Sequence, residues 1–241
     1  MSATTRGRDF SRRSDEAEWL DGGDLDAAEL AAVLRDLASF NRAMLGHYPI
    51  LRWIGRASRG PEPRRPLRLI DAGCGYGDLL RAIRRWADRR GLEIALLGID
   101  SNEETIRIAR AATDARERID FAVADALTFR PASPVDLIVN SLLAHHLRNA
   151  AIADLLRWME ATARRGWLVC DLQRHPLPYH AIGLAGKLAR LHRTVVHDGQ
   201  ISVMRALSRA EWEDRLAAAG IPPGTAAVRS FLFRWLVGRL R

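Results

Sequence analysis

A chain of 241 residues is long enough for one α/β domain with a substantial core and short for two. Its two cysteines, Cys74 and Cys170, indicate neither a disulfide framework nor a C-x-x-C metal site. The formal net charge of +8 would ordinarily point to nucleic acid or an anionic membrane. However, Lys187 is the only lysine among the 37 basic residues, and arginine is spread over every segment. The charge therefore reflects composition, and nucleic acid is not favoured as a partner.

The N-terminus is polar and rich in arginine and serine, with Phe10 as its large apolar side chain. Residues 1–18 are therefore predicted to form a disordered basic tail. The sequence contains neither an apolar span of about 20 residues nor the pattern of a signal peptide. We expect a cytoplasmic protein without a transmembrane segment.

Residues 19–60 are predicted to form an N-terminal helical extension that caps the domain. Asp26 and Glu29 have the spacing of a capping box, and apolar residues follow at helical intervals as far as Met44. A second short helix is predicted over residues 49–59, and the Gly-Pro-Glu-Pro run at 60–63 should end it.

A glycine-rich turn follows, in the stretch Leu-Ile-Asp-Ala-Gly-Cys-Gly-Tyr-Gly-Asp over residues 69–78. An apolar run ends at Asp71, and Gly73, Gly75 and Gly77 follow at alternate positions, which predicts a strand, a tight turn and a helix. The spacing differs from a dinucleotide fingerprint and from a P-loop. It resembles motif I of the class I S-adenosylmethionine-dependent methyltransferases. The resemblance implies that these four residues bind S-adenosylmethionine; the alternative is a tight turn without a ligand.

Two further acids end strands at regular spacing. Asp100 ends the apolar run 94–100, where a carboxylate can accept both ribose hydroxyls of an adenosyl group. Asp125 follows the predicted strand 119–124, and in the methyltransferase pattern an acid here receives the adenine amine. By position, the predicted cofactor contacts also include Ser101, Ala126 and, at the end of the next strand, Asn140.

His145 and His146 follow the strand 135–140, where the transferred methyl group should project. A neutral imidazole suits removal of a proton from a phenol or an acidic carbon. His146 is the preferred base, because two adjacent side chains of a helix do not both face one pocket. The alternative is that the pair shapes the loop without transferring a proton.

An insertion over residues 172–208 is predicted to act as a lid, with Arg174, His175 and Tyr179 as a substrate-pocket wall. Its return, residues 201–206, is expected to be extended. Its simpler interpretation is a surface helix with a packing role, and a third is contact with a membrane surface. The four histidines of this region do not have the spacing of a zinc site, so no metal is predicted: His175, His180, His192 and His197.

The predicted fold is α/β: a doubly wound, Rossmann-like sheet of seven strands, mostly parallel with an antiparallel last strand, over residues 67–241. Outside motif I the sequence is similar to small-molecule methyltransferases of the ubiquinone/menaquinone-biosynthesis type. More narrowly, it resembles bacterial enzymes found alongside type III polyketide synthases. That resemblance rests on Asp171-Leu172-x-Arg174, on His197-Asp198-Gly199 with Ser202-Val203, and on Asp21 with Asn41-Arg42.

The resemblance implies a transferase of class EC 2.1.1.-, acting in secondary metabolism on a small aromatic, phenolic or quinonoid acceptor, by O- or C-methylation. Two rival interpretations stay open. The first is an RNA or protein methyltransferase, which would bind a polypeptide, or nucleic acid in a salt-sensitive manner. The second is a non-catalytic module, which would bind S-adenosylmethionine without turnover. The acceptor and the oligomeric state stay undetermined by the sequence.

Overall fold

The computed structural model describes residues 8–22, 25–59, 65–189 and 191–241. Residues 1–7 of the predicted tail and the predicted break at 60–63 lie outside the described residues. None of the described helices is long and apolar enough to cross a membrane.

Within the described residues, seven strands form one sheet in the order β3-β2-β1-β4-β5-β7-β6. β7 runs antiparallel to both of its neighbours, and the pairs among the first five strands are parallel. This confirms the predicted doubly wound α/β fold. The strands are β1 (Leu67–Ala72), β2 (Ile94–Asp100), β3 (Ile119–Val123), β4 (Val135–Ser141), β5 (Ala163–Leu172), β6 (Ala227–Phe231) and β7 (Arg234–Leu240).

Helices cover both faces of the sheet, so its central strands β1 and β4 are buried on both sides. One core contains Trp158, Met159 and Trp212, and the other contains Ile50 and Ile83. The α-helices are α1 (Ala27–Ala43), α2 (Tyr48–Ala57), α3 (Asp78–Asp88), α4 (Glu103–Ala111), α5 (Asn149–Thr162), α6 (Pro176–Ala189), α7 (Arg193–Arg205) and α8 (Arg209–Ala218).

The N-terminal extension contains the two predicted helices. The side chain of Asp26 accepts hydrogen bonds from the backbone of Ala28 and Glu29, and the capping box predicted at the start of α1 is present. Residues 8–18 are ordered, so the predicted disordered tail does not extend through residue 18. The backbone N–H of Ser14 donates to the carbonyl of Met204 at 3.0 Å, so this segment is bound to α7.

The insertion folds as the helical pair α6 and α7, and the expected extended conformation of residues 201–206 is wrong. An Asp-Gly pair, such as the one at 198–199, commonly marks a turn. Gly199 instead lies in the interior of α7, where a Cβ atom would be 3.2 Å from Ile182 of α6. The glycine thus lets the two helices pack closely.

Candidate active site

The glycine turn joins β1 to α3. Gly73, Gly75 and Gly77 have φ angles of +71°, +51° and +74°, which glycine adopts without the strain that other residues incur. A Cβ atom on Gly73 would lie 2.9 Å from Leu143, and one on Gly77 would lie 2.8 Å from Phe121. A Cβ atom on Gly75 would meet nothing within 4 Å. Gly73 and Gly77 therefore permit close packing, whereas Gly75 borders open space.

That space is part of a cavity of about 530 Å³ at the carboxyl ends of β1, β2 and β4. Its volume is within the range of small-molecule sites. The turn and the ends of the strands form one side, and α1 and the loop after β4 form the other. From α1 and this loop come the apolar residues Leu30, Leu34, Leu37, Ala38, Leu142, Leu143 and Leu147.

Three carboxylates meet at this cavity: Asp71, Asp78 and Asp100. Asp71 is 1% exposed, and its Oδ1 accepts no hydrogen bond from the described residues. Burial, and then the charges of Asp78 and Asp100, raise the pKa of Asp71 well above its usual value. Asp100 accepts hydrogen bonds from the backbone N–H groups of Gly75 and Asn102, at 3.1 and 3.0 Å.

This set of groups fits S-adenosylmethionine. The ligand carries a positive sulfonium and a positive amino group, and the cavity offers an orphaned buried carboxylate oxygen beside two further carboxylates. Asp71 would hold a cationic group of the cofactor and Asp100 its ribose. Gly75 would let the backbone approach the ligand closely.

The remaining predicted cofactor residues are divided between the cavity and its surroundings. Ser101 lines the cavity. Asp125 is exposed and its Oδ1 accepts a hydrogen bond from the backbone of Leu127, while Ala126 packs in the core. Asn140 is fully buried and its Nδ2 donates to the carbonyl of Ala72 at 2.7 Å, which ties the end of β4 to that of β1. The last three do not line the described cavity.

The two histidines after β4 have different environments. His145 has only 2% of its side chain exposed, and its Nδ1 lies 2.6 Å from Oδ1 of Asp171. His146 has 27% of its side chain exposed and lines the cavity. Burial raises the pKa of Asp171, but the charge of His145, the hydrogen bond from its ring, and the hydrogen bonds from the backbone of Leu172 and His145 outweigh this effect, and the pKa of Asp171 is lowered.

Glu18 is a site residue that the sequence analysis missed. Only 4% of its side chain is exposed, and its carboxylate oxygens lie 3.9 Å from Nε2 of His145 and 3.7 Å from Nε2 of His146. Ligand atoms of these three residues lie within 4.8 Å of one another. The apolar pair Trp19-Leu20, which follows Glu18 directly, was the one sequence signal that this segment docks on the protein.

Long-range hydrogen bonds hold the segment around Glu18. The side chain of Arg13 donates to the carbonyls of Arg205, His145 and Leu147 at 2.6, 2.9 and 3.1 Å. The carboxylate of Asp198 accepts from the backbone N–H groups of Trp19 and Leu20, both at 2.9 Å. We call residues 8–22 the N-terminal strap. Leu20 of the strap lines the cavity.

The predicted substrate-pocket residues Arg174, His175 and Tyr179 do not line the described cavity. Arg174 donates to both carboxylate oxygens of Glu211, at 3.1 and 2.9 Å, and to the carbonyl of Phe10 in the strap. The ring of Tyr179 packs edge-on against Phe10. His175 lies beside Phe233. In this structure Arg174 and Tyr179 contact the strap.

The sheet order and the cavity at the carboxyl ends of its strands agree with the predicted resemblance to the class I S-adenosylmethionine-dependent methyltransferases. Residues 69–166 match the family model Methyltransferase domain. This match and the curated relatives described next confirm the predicted resemblance and cofactor. Solved structures of the same fold hold S-adenosylmethionine or S-adenosylhomocysteine.

Individual relatives are small-molecule methyltransferases. Trans-aconitate 2-methyltransferase of Streptomyces avermitilis is 34% identical over 166 residues, which are 66% of this chain and 52% of that protein. Ubiquinone biosynthesis O-methyltransferase of Sinorhizobium fredii is 29% identical over 54% of this chain and 49% of its own length. The chain thus spans about half the length of these relatives. Human N-acetylserotonin methyltransferase, solved with S-adenosylmethionine, has a TM-score of 0.61 at 13% identity, over 90% of this chain and 56% of its own.

Proposed function

We propose that this protein transfers a methyl group from S-adenosylmethionine to a small, uncharged aromatic acceptor, a phenol or quinol of the kind made in secondary metabolism. The single observation that carries this choice is the charge of the cavity. Its described walls are acidic at the glycine turn and apolar on α1 and the loop after β4, and their other polar side chains, such as Asn41, Thr105 and Ser141, carry no charge. They include no arginine, although arginine supplies almost all of the 37 basic residues.

This distribution of charge bears on which relative is the better guide. A tricarboxylate such as trans-aconitate needs cationic groups to neutralise it when it leaves water. A phenol or quinol needs an apolar surface and one group that removes its proton. The leucines of α1 and of the loop after β4 supply the surface, and His146 supplies the group. The name of the ubiquinone relative is therefore the closer indication of acceptor class.

When bound, S-adenosylmethionine supplies a methyl group on a positively charged sulfur, which departs as a neutral thioether. His146 accepts the hydroxyl proton, so the oxygen lone pair can form the new bond to carbon. α1, the strap and the loop after β4 exclude water and orient the acceptor. We also propose that the protein acts in the cytoplasm, as expected from the sequence.

The test is methyl transfer measured by mass spectrometry, with a panel of phenols and quinols beside trans-aconitate. His146→Ala should lower turnover about 100-fold or more, since general-base catalysis contributes 10²–10⁴. Its affinity for S-adenosylhomocysteine, measured by calorimetry, should be retained. His180→Ala, at an exposed histidine, is the matched control and should retain full turnover.

Two results would refute parts of the proposal separately. Methylation of trans-aconitate without methylation of any phenol or quinol would overturn the acceptor class. Full turnover by His146→Ala on a good acceptor would overturn the role of His146 as base while leaving the cofactor site intact.

A further inference from the structure

We propose that Glu18 is a positioning residue, which orients His146 and stabilises the imidazolium that forms when His146 accepts a proton. The inference rests on the proposed function. Glu18 is the third member of a series of alternating carboxylates and imidazoles, Asp171, His145, Glu18 and His146. The first three are buried, and the half-buried His146 lines the cavity.

The inner end of the series is fixed by hydrogen bonds. Asp171 accepts from Nδ1 of His145 at 2.6 Å and from the backbone N–H of His145 at 3.0 Å. A carboxylate with a lowered pKa is an acceptor only, so it assigns a proton to Nδ1 of His145. The other ring nitrogen, Nε2, therefore faces Glu18 in a fixed orientation.

Glu18 lies between the two imidazole rings. Its Oε1 is 3.9 Å from Nε2 of His145, and its Oε2 is 3.7 Å from Nε2 of His146. Oε1 also accepts a hydrogen bond from the hydroxyl of Ser202 at 2.9 Å. The two distances to nitrogen exceed those of hydrogen bonds, so the interaction with the rings is electrostatic in this conformation.

A buried negative charge beside an imidazole favours the protonated form of that ring. The carboxylate would therefore stabilise His146 as it gains the acceptor's proton, as the buried aspartate of a hydrolase triad stabilises its histidine. Two arginines lie beside this series: Arg13, on the strap that also carries Glu18, and Arg205 of α7. Both donate to the backbone carbonyl of His145.

Contacts within the protein hold Glu18 in position. On its C-terminal side, Asp198 holds the backbone of the next two residues, and the indole of Trp19 stacks on His197 with centroids 3.8 Å apart. On its N-terminal side, Arg13 binds the loop that carries both histidines. A group held in this way needs no rearrangement during the reaction, which is what electrostatic catalysis requires.

The first test is ¹⁵N NMR of the histidine rings in the complex with S-adenosylhomocysteine, which needs no acceptor. Glu18→Gln is nearly isosteric and removes the charge. We expect the Nε2 resonances of His145 and His146 to shift, with affinity for S-adenosylhomocysteine within about threefold of wild type. Glu16→Gln is the matched control, because Glu16 belongs to the same strap but is exposed and pairs with Arg8. Its histidine spectrum should be unchanged.

The second test uses the methyl-transfer assay on an accepted phenol or quinol. Glu18→Gln should lower kcat roughly 10- to 100-fold, with the KM for S-adenosylmethionine unchanged, and Glu18→Asp should recover part of that loss. If Glu18→Gln does not fold, Ser202→Ala removes the hydroxyl donor to Glu18 and should shift the same resonances.

Unchanged His146 resonances together with full kcat would overturn the positioning role. Binding of one equivalent of Zn²⁺ to wild type, lost in Glu18→Gln, would overturn it in favour of a metal site made of Glu18 and the two histidines. Shifted resonances in a protein that methylates no phenol or quinol would instead count against the proposed function, so the two failures are distinguishable.

Discussion

Asp71→Asn should make the ligand-free protein more stable and its cofactor binding weaker. The substitution keeps the shape of a side chain that is 1% exposed and removes a charge whose Oδ1 has no hydrogen-bond partner among the described residues. An unsatisfied buried polar group costs about 1–3 kcal/mol, and a charged one costs more. We therefore expect a gain of about 1–3 kcal/mol at pH 7, which for a chain of 241 residues corresponds to a rise in Tm of roughly 3–9 °C.

The pH dependence of stability provides a second test of the effect of Asp71→Asn. Because the folded-state pKa of Asp71 is raised, the folded protein binds more protons than the unfolded chain above the ordinary value of 3.8. This contribution to stability is complete below that value and is lost as pH rises through the folded-state pKa. Asp71→Asn should therefore gain most over wild type at neutral pH and little at pH 4.

Calorimetric titration with S-adenosylhomocysteine completes the test. A charge-assisted hydrogen bond contributes about 1.5–3 kcal/mol, so the variant should bind roughly 10- to 100-fold more weakly. Asp100→Asn is the comparison, because Asp100 accepts two backbone hydrogen bonds and its replacement should weaken binding without stabilising the protein. A destabilised Asp71→Asn protein with unchanged affinity would refute this account of the acidic cluster.

Two further predictions concern the turn and the rim of the sheet. Gly75→Ala should abolish most binding of S-adenosylhomocysteine, at a stability cost of about 1–2 kcal/mol. The control is Gly220→Ala, because Gly220 also has a positive φ, +75°, and open space around it but lies far from the cavity; this variant should lower Tm similarly and bind normally. Equal affinities of the two variants in calorimetry would contradict the close approach of the ligand at Gly75. Asp136→Asn should cost about 1.5–3 kcal/mol in urea unfolding at pH 7, because Asp136 accepts two bonds from Arg65 and one from the backbone of Arg68. Burial raises the pKa of Asp136, but the hydrogen bonds from Arg65 and Arg68 lower it overall. The stabilisation by Asp136 is therefore present above the ordinary pKa of an aspartate and should disappear as the pH falls through the folded-state pKa. A difference in stability between wild type and Asp136→Asn that persists at pH 2 would argue against the pairing.

The sequence predicted the parts of the site that depend on local pattern. Asp71 and Asp100 lie at the ends of apolar strands, and Gly75 lies in the turn that follows the first of them. Parallel strands bring their carboxyl ends to one edge, so the proximity of these residues follows from strand order. Asp125 met the same sequence criterion, yet the bend after β3 exposes it beyond the described cavity. A strand pattern predicts at which edge of the sheet a residue lies, but it does not predict the path of the loop that follows the strand.

The parts that sequence reasoning missed depend on distant contacts. Glu18 is buried because residues about 130 to 190 positions away bind it and its neighbours, and the sequence signals this docking only through the apolar pair Trp19-Leu20. Arg174 was expected at the substrate, but Glu211 and carbonyls of the strap satisfy its guanidinium. In a chain with so many arginines, side-chain type alone does not separate a ligand contact from a structural ion pair.

The strap also has a consequence for how the protein is synthesised. Arg13 binds the backbone of Arg205, so the first and last thirds of the chain must meet before the cavity is complete. Closing a loop of that length is slow and entropically costly, and the parallel strands between them are available to pair earlier. A nascent chain that has emerged only as far as α6 already contains the glycine turn and the first five strands, but it lacks the helix against which Glu18 docks. Such a chain holds the residues that line the glycine turn and also His146, whereas the contact that fixes Glu18 is acquired only when α7 is complete.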